Sequence, residues 1–405
     1  GYQIEVLGSS GQEVAQEGLK YVHNDTCYPA LIVIGQFINA LKSGKYDLDH
    51  TALLISQTGG GCRASNYIHL LRKALVKAGF PQVPVASLNF SGLEKDSGFQ
   101  LTLPLLHKVI ASIFYGDALM SLSNQTRPYE NEKGAADALV SRWTKEIARQ
   151  FDQKKGVSKR DMGENFRAMA RDFAALPITY TPKVKVGVVG EIYVKYSPLG
   201  NNELEKFLHE EDCEVNLPGL MGFVQYCIEN TSQTIHLYGG SGITALGAKA
   251  LMHYLTVREQ MMIDAIAAYP QFHAPTLFNE TKKLADGMIG YGNKMGEGWL
   301  LTAEMVELVH SGFENIVCAQ PFGCLPNHIC GKGMINKIRA AHPAANITPI
   351  DYDPSATRVN QENRIKLMLS VARERLQNTP HQTPPSAPQH EGRRVPNLVP
   401  LPANS

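Results

Sequence analysis

The sequence predicts an α/β fold built from two Rossmann-like, doubly wound domains with a cofactor site between them. Short apolar runs rich in β-branched residues, typical of buried parallel strands, alternate with longer segments of helical spacing. The alternation occurs in both halves of the chain, as in parallel sheets that are covered by helices. The length of 405 residues also suits two domains better than one. We therefore expect a first domain over 1–180, a second over 181–377, and a disordered, proline-rich tail over 378–405.

The first half supplies two strands and five helical segments. The second helix follows a polar stretch in which Asp25 or Thr26 is the expected N-cap, with Pro29 in its first turn. Residues 1–6 alternate weakly and predict a further strand. In chain order, the predicted elements are a helix over 13–22, a helix from Pro29 to Gly44, a strand over 51–56, a helix over about 64–77, a strand over 83–88, and helices over about 101–121 and 131–153.

The second half begins after a mixed stretch, 154–182, which holds the expected domain boundary. Its first predicted strand is VKVGVVGEIYV, and Gly190-Glu191 would lie at the carboxyl edge of a sheet. In chain order, the predicted elements are strand 184–194, helix 201–209, strand 213–218, helix 244–268, a glycine-rich loop and helix over 293–312, strand 313–319, helix 334–341, strand 346–353 and helix 358–376.

Composition and charge exclude several classes of function. A formal charge of +1 gives no electrostatic case for binding nucleic acid or an anionic membrane. No apolar run approaches the roughly 18 residues that span a bilayer, and the N-terminus has no secretory signal pattern. These features predict a cytoplasmic protein. Because the chain opens directly on the strand-like YQIEVL, we also expect it to be part of a longer protein.

The cysteines indicate reduced thiols rather than disulfides. Their number is odd, the chain is long, and no secretory signal precedes them, so catalytic or metal-binding thiols are favoured. The seven are Cys27, Cys62, Cys213, Cys227, Cys318, Cys324 and Cys330.

Three of the cysteines share one context: Cys27, Cys62 and Cys324 each lie in a turn rich in Gly or Pro, immediately before a helix. Taken singly, each fits a buried structural cysteine. Because such junctions meet at one edge of an α/β sheet, the three thiolates could converge on a shared metal site. Backbone N–H groups at helix N-termini would stabilise the negative charge there.

Two kinds of metal suit three thiolates. One is an iron–sulfur cluster with one open iron, and the other is zinc completed by His23 or His328. Cys330 is a candidate extra or substitute ligand, six residues after Cys324, whereas Cys318 lies inside a predicted strand and fits a core residue. Cys213 and Cys227 receive no role.

Acidic residues are weaker candidates. Glu191, Glu297 and Glu304 stand in loops or in a first helical turn, where a carboxylate is usually solvated or caps the helix. No P-loop, Ser-His-Asp or HExxH pattern is present to indicate another chemistry.

Six separated blocks give the chain a family resemblance that covers about residues 15–375. The blocks are HNDTCYPALIVIGQ, SQTGGGCRASNY, GVVGEIYVKYSP, GNKMGEGWLLTAEM, QPFGCLPNHICGKG and IDYDPSATRVNQENRIKLML. Together they resemble the C-terminal part of the large acyl-CoA dehydratase activase-related proteins, also described as CoA-substrate-specific enzyme activases. That region is similar to the subunits of 2-hydroxyacyl-CoA dehydratases and to the double-cubane cluster proteins.

The resemblance implies a cofactor and its ligands. In those relatives, Rossmann-like domains hold a [4Fe-4S] cubane through three cysteines and leave one iron open to a substrate, hydroxide or bridging sulfide. By resemblance, the ligands here are Cys27, Cys62 and Cys324, and Cys330 is outside the ligand set. A parent protein with a double cubane would carry only half of it on this chain.

The resemblance also implies partners. The family's actin-like ATPase domains inject low-potential electrons upon ATP hydrolysis, and this chain has none of their glycine-rich phosphate loops, so we expect no ATPase activity from it alone. The expected partners are such a reductase domain, in the same chain or another, and an acyl-CoA or other small substrate in anaerobic metabolism. A dimer, or pairing with a second similar module, is also expected. The alternatives are a non-catalytic scaffold with a structural metal site and a zinc-binding regulatory protein.

Overall fold

The computed structural model describes residues 3–8, 11–23, 26–57, 61–89 and 102–378. Within them the fold is mixed α/β with parallel sheets, as predicted. The tail predicted over 378–405 lies outside the described residues from 379 onward, as do Asp25, the alternative N-cap, and the glycines at 59 and 60.

The described residues form six strands and fifteen α-helices. The strands are β1 Leu53–Gln57, β2 Val85–Asn89, β3 Val184–Gly190, β4 Cys213–Asn216, β5 Asn315–Pro321 and β6 Asn346–Tyr352. The helices are α1 Gln12–Tyr21, α2 Tyr28–Lys42, α3 Tyr67–Ala78, α4 Leu103–Thr126, α5 Ala135–Asp152, α6 Lys159–Ala174, α7 Ile192–Tyr196, α8 Pro198–Asn201, α9 Leu204–Glu210, α10 Leu220–Tyr238, α11 Gly242–Ala267, α12 Phe278–Lys283, α13 Gly298–His310, α14 Ile335–Ala341 and α15 Arg358–Asn378.

The larger sheet has four parallel strands in the order β4-β3-β5-β6. Its two faces are both covered, since Val188 of β3 packs in a core with α2, α9 and α15, whereas Val189 packs with α13 and α14. This double coverage explains why β3 is almost continuously apolar. The strand order reverses at β3, which has β4 on one side and β5 on the other. In open α/β sheets, ligands bind at such a reversal, beyond the carboxyl ends of the strands.

The smaller sheet pairs β1 and β2 in parallel. Helix α2 connects it to the larger sheet because the helix is apolar on two faces. Leu31 and Ile32 pack in the core of the larger sheet, while Ile34 and Ile38 pack against β1, β2 and α3. The first helices therefore belong to the cores of both sheets.

A layer of helices joins the two halves of the chain. Phe114 of α4 and Phe166 of α6 share a core with Leu255 of α11 and Met221 of α10. Hydrophobic cores thus draw residues from both sides of position 180, and the division into domains over 1–180 and 181–377 stays a prediction.

The sequence did not predict α6 or α10. Helix α6 repeats buried Met162, Phe166, Met169 and Phe173 at helical spacing, but its other face is strongly polar, which hid the pattern. The strand predicted over 1–6 is wrong for the described residues, since 3–8 have no regular structure.

One helix in the described part, Leu103–Tyr129, is long and apolar enough by length and composition to cross a membrane. The sequence prediction that no segment approaches this length missed it. Its side chains Ile110, Phe114 and Leu122 lie in the core of the helical layer. The core helix of a folded domain passes the same test.

Candidate metal centre

Cys27 is the N-cap of α2, with Pro29 in the first turn of the helix. The residue is buried, and its Sγ lies 3.0 Å from the Tyr67 hydroxyl at the start of α3. The N-cap predicted at Asp25 or Thr26 is therefore displaced by one residue from Thr26 onto the cysteine itself. A thiol in this position faces the free N–H groups of the first helical turn.

Cys62 lies at the predicted junction between a strand and a helix. It caps a short 3-10 turn, Arg63–Asn66, that leads into α3. The Ser65 hydroxyl donates a hydrogen bond to the Cys62 carbonyl at 2.8 Å, which tightens this turn. The cysteine is partly exposed, unlike Cys27.

Cys324 follows β5 directly, and its loop lies against the start of α2. The Tyr28 N–H donates to the Phe322 carbonyl at 3.0 Å. Gly323 has a positive φ of 73°, and a side chain there would place Cβ 3.3 Å from the Cα of Cys27. The backbones that carry Cys27 and Cys324 are therefore in contact. The helix expected after Cys324 begins as a π-helical turn, Asn327–Gly331, before it continues as α14.

The glycine-rich loop before α13 packs against the segments that carry Cys62 and Cys324. A Cβ at Gly61 would collide with the Met295 thioether, and one at Gly296 would lie 3.0 Å from Pro326. The residue before Cys62 and the turn after Cys324 therefore both lie against 295–296. Sequence spacing gave this loop no role by itself.

That loop brings Glu297 to the carboxyl edge of the larger sheet. Glu297 is buried, and it accepts hydrogen bonds from the Ile192 N–H at 3.2 Å and from the Asn327 Nδ2 at 3.0 Å. Glu191 is partly exposed and caps α7 through a 2.9 Å bond from the Val194 N–H. Glu191 thus caps a helix, as expected, whereas the expectation that Glu297 is solvated is wrong.

The two carboxyls influence the titration of this site, and Glu191 affects all three thiols. Burial of the carboxyl and the charge of Glu297 raise the pKa of Glu191 to about 8, which favours its protonated form. Burial likewise raises the pKa of Glu297. The charge of Glu191 in turn raises the pKa of Cys27, Cys62 and Cys324. All three cysteines therefore lie near Glu191, and Cys62 and Cys324 also lie near Glu297.

Burial is the largest cause of a raised pKa at each of these thiols, so the structure favours their protonated forms. Opposing it, the N–H of Ala30 lowers the pKa of Cys27, that of Ala64 lowers the pKa of Cys62, and that of Asn327 lowers the pKa of Cys324. In each case the amide belongs to the turn that follows the cysteine. The side chains of Cys27 and Cys62 nevertheless make no capping hydrogen bond. Each thiol thus has an N–H donor placed for a thiolate.

Asn327 is a residue that the sequence analysis missed. It is fully buried, and its Nδ2 lies 3.2 Å from Cys324 Sγ as well as 3.0 Å from Glu297 Oε2. Its only sequence signal is its position three residues after Cys324. Its Oδ1 has no hydrogen-bond partner, and neither end of the buried Gln320 amide at the end of β5 has one. Such groups are rare in protein interiors and indicate an edge built to contact something polar.

The remaining cysteines are distributed elsewhere. Cys330 and Cys318 lie in the core between the larger sheet and α13, so Cys330 is placed as a core residue. Cys213 is buried at the start of β4, and Cys227 is exposed on α10. Among the described residues, no three His, Cys, Asp or Glu side chains lie close enough together to hold a single metal ion, and this finding includes His23 and His328.

A second buried acid lies nearby with a very different environment. Glu304 of α13 is buried and pairs with Lys195 of α7, whose Nζ lies 3.5 Å from both of its carboxylate oxygens. The Lys195 side chain is only 1% exposed, so this ion pair is shielded from solvent. Its positive charge also lowers the pKa of both Glu191 and Glu297, although burial dominates at each.

Comparisons with known proteins add no family assignment. No protein-family model matches the chain, and a comparison with curated proteins gives no match.

Proposed function

We propose that this chain is an iron–sulfur electron-transfer module that binds a [4Fe-4S] cluster through Cys27, Cys62 and Cys324. One observation carries the proposal. Three cysteines from distant segments, each at the start of a helical turn, lie near the same acid, Glu191, beyond the carboxyl ends of β3 and β5, and the loop that carries Cys324 lies against Cys27. The proposal includes two Rossmann-like domains and a cytoplasmic location.

The donor set fits a cluster of this kind. Three thiols leave one iron without a cysteine, and backbone or side-chain N–H groups stand ready to stabilise the sulfurs. The absence of a single-ion site among the described residues concerns a mononuclear metal. A four-iron cluster is larger, and its ligands stand further apart.

Each residue around the thiols would have a specific role in holding or tuning the cluster. The bound group supplies one-electron redox chemistry at low potential. Tyr67 orients Cys27 through its hydroxyl, and Asn327 orients Cys324 through its amide. The raised pKa of Glu191 favours a protonated carboxyl near the three thiols, which would supply a proton where negative charge increases. Burial of Cys27 keeps water from its sulfur.

Electrons would come from an ATP-driven, actin-like reductase and pass to an acyl-CoA dehydratase or directly to a small substrate. The partly exposed Cys62 and Cys324 mark the side from which either partner could approach. Pairing with a second similar module remains part of the proposal, since it would allow a double cubane.

Anaerobic reconstitution with iron and sulfide tests the proposal. We expect about four irons per chain, a broad visible absorbance and an EPR signal after reduction. The variants Cys27→Ser, Cys62→Ser and Cys324→Ser should lose most of the iron. Cys213→Ser is the matched control, because this buried thiol lies at the opposite, amino edge of the sheet.

Four outcomes would overturn the proposal. The unmodified chain could bind far fewer than about four irons, or Cys62→Ser could bind as much iron as the unmodified chain. Stoichiometric zinc in place of iron would favour the regulatory alternative. A cluster that cannot be reduced and exchanges no added ligand would favour the structural scaffold.

A further inference from the structure

The side-chain amide of Asn327 is aimed at the sulfur of Cys324. Both of its bonds start from Nδ2, which has two hydrogens, one for Glu297 Oε2 at 3.0 Å and one for Cys324 Sγ at 3.2 Å. The backbone N–H of Asn327 faces the same sulfur. Cys324 therefore receives two donors from one residue.

Neighbouring groups fix the orientation of this amide. A flipped Asn327 would place its Oδ1 against a carboxylate oxygen of Glu297, and two acceptors repel each other. Glu297 is itself held by the Ile192 N–H at 3.2 Å. Asn327 is fully buried in a π-helical turn, a local widening of the helix that often occurs at functional sites.

An N–H donor to a ligand sulfur stabilises the more negative, reduced state of a cluster and so raises its reduction potential. We propose that Asn327 is a positioning residue that raises the potential of the cluster through its bond to Cys324. This inference rests on the proposed function, because it needs a redox group on Cys324. It adds a residue that holds no metal itself.

The test is a redox titration of the reconstituted full chain, followed by EPR. The variants are Asn327→Leu and Asn327→Ser, which remove the amide without adding charge. A hydrogen bond to a charged group is worth about tenfold in an equilibrium constant. We therefore expect the ratio of reduced to oxidised cluster at a fixed poise to fall about tenfold, which corresponds to about 59 mV toward negative potential for one electron.

Asn346→Leu is the matched control. Asn346 also uses its Nδ2 for two bonds, to the Asn315 Oδ1 at 3.0 Å and the Met368 carbonyl at 3.1 Å, but it lies at the amino end of β6. Its loss should leave the potential unchanged. Pulsed EPR after exchange into D₂O gives a second readout, since Asn327→Leu should lose one exchangeable proton coupling that Asn346→Leu retains.

Each outcome of the redox titration supports or overturns the role of Asn327. An unchanged potential with a fully loaded cluster in both Asn327 variants overturns the inference and leaves the proposed function intact. Loss of the cluster from both variants, while Asn346→Leu keeps it, assigns Asn327 to ligand retention and also overturns the inference. Failure of the unmodified chain to bind a cluster overturns both the inference and the proposed function.

Discussion

An ion pair and a pair of acids lie near one edge of the larger sheet, and they differ in how their charge is balanced. Glu304 faces Lys195 at 3.5 Å, so a negative charge has a positive partner in the same interior. Glu191 and Glu297 face each other instead, and each carboxyl relies on backbone or amide N–H groups. The second group lies among three thiols, and the first does not.

This difference in charge balance distinguishes a structural ion pair from a candidate functional site. A buried ion pair satisfies itself, and removal of one partner leaves the other uncompensated. Two acids without a lysine of their own are tolerated because Glu191 keeps its proton, with a pKa of about 8. Perturbed carboxyls that gather with thiols in this way are typical of functional sites.

The largest effect should come from Lys195→Met, which breaks the balanced group. We expect a loss of about 3 kcal/mol in the free energy of unfolding, because Glu304 would be buried without a counter-charge. Urea denaturation of the metal-free chain measures it. The control is Lys206→Met, whose partner Glu203 is exposed at 3.6 Å and whose loss should cost at most about 0.5 kcal/mol. Equal losses would contradict the comparison.

Glu191→Gln should relieve the unbalanced group in a pH-dependent way. The folded-state pKa of Glu191 is raised from 4.5 to about 8, so the folded chain holds this proton more tightly than the unfolded chain does. Its contribution to stability is full below about pH 4.5 and is lost as the pH rises toward about 8. At pH 8 the variant should therefore gain about 1–2 kcal/mol relative to its effect at pH 4, a discounted value because the residue is partly exposed.

Denaturant titrations of the metal-free chain at pH 4 and pH 8 would check this gain. Glu304→Gln provides the contrast, since it removes the partner of Lys195 and should destabilise the chain at pH 8. A Glu191→Gln variant whose stability follows the same pH dependence as the unmodified chain would show that this acid does not hold the proton.

The smallest effect is expected from Tyr67→Phe. The change removes the hydroxyl 3.0 Å from Cys27 Sγ and leaves the ring in place. One lost hydrogen bond costs about 1 kcal/mol. Thermal unfolding gives the cost, and iron content after reconstitution should stay near that of the unmodified chain. A complete loss of iron would make Tyr67 essential to the metal centre rather than supportive of it.

Most strands and the three cysteine junctions could be predicted from the sequence. The strand predicted over 184–194 is too long, since β3 ends at Gly190 and α7 begins at Ile192. Runs such as VKVGVVG are apolar because both faces of β3 are covered, and the two central strands end at Gly190 and Pro321. Cys27 and Cys62 were expected before helices, and both are N-caps of helical turns. Local chemistry determines these features, so local pattern reveals them.

The surroundings of the thiols could not be predicted in the same way. Glu297 is a loop glutamate by sequence, and it is buried only because 293–298 folds back against Gly61 and Pro326. Asn327 is one polar residue in a turn by sequence. Its amide is oriented by Glu297, which lies thirty residues earlier. Contacts of this range depend on tertiary structure, which spacing along the chain does not encode.

The hydrogen bond from Tyr28 to Phe322 has a consequence for how the chain folds. It joins the first turn of α2 to the end of β5, across nearly three-quarters of the sequence. Contacts between such distant residues carry a high loop-closure entropy and form slowly. Synthesis therefore has to deliver β5 before α2 can complete its N-terminus. Because this bond joins the two halves of the chain, cleavage between them should not yield two independently folding pieces.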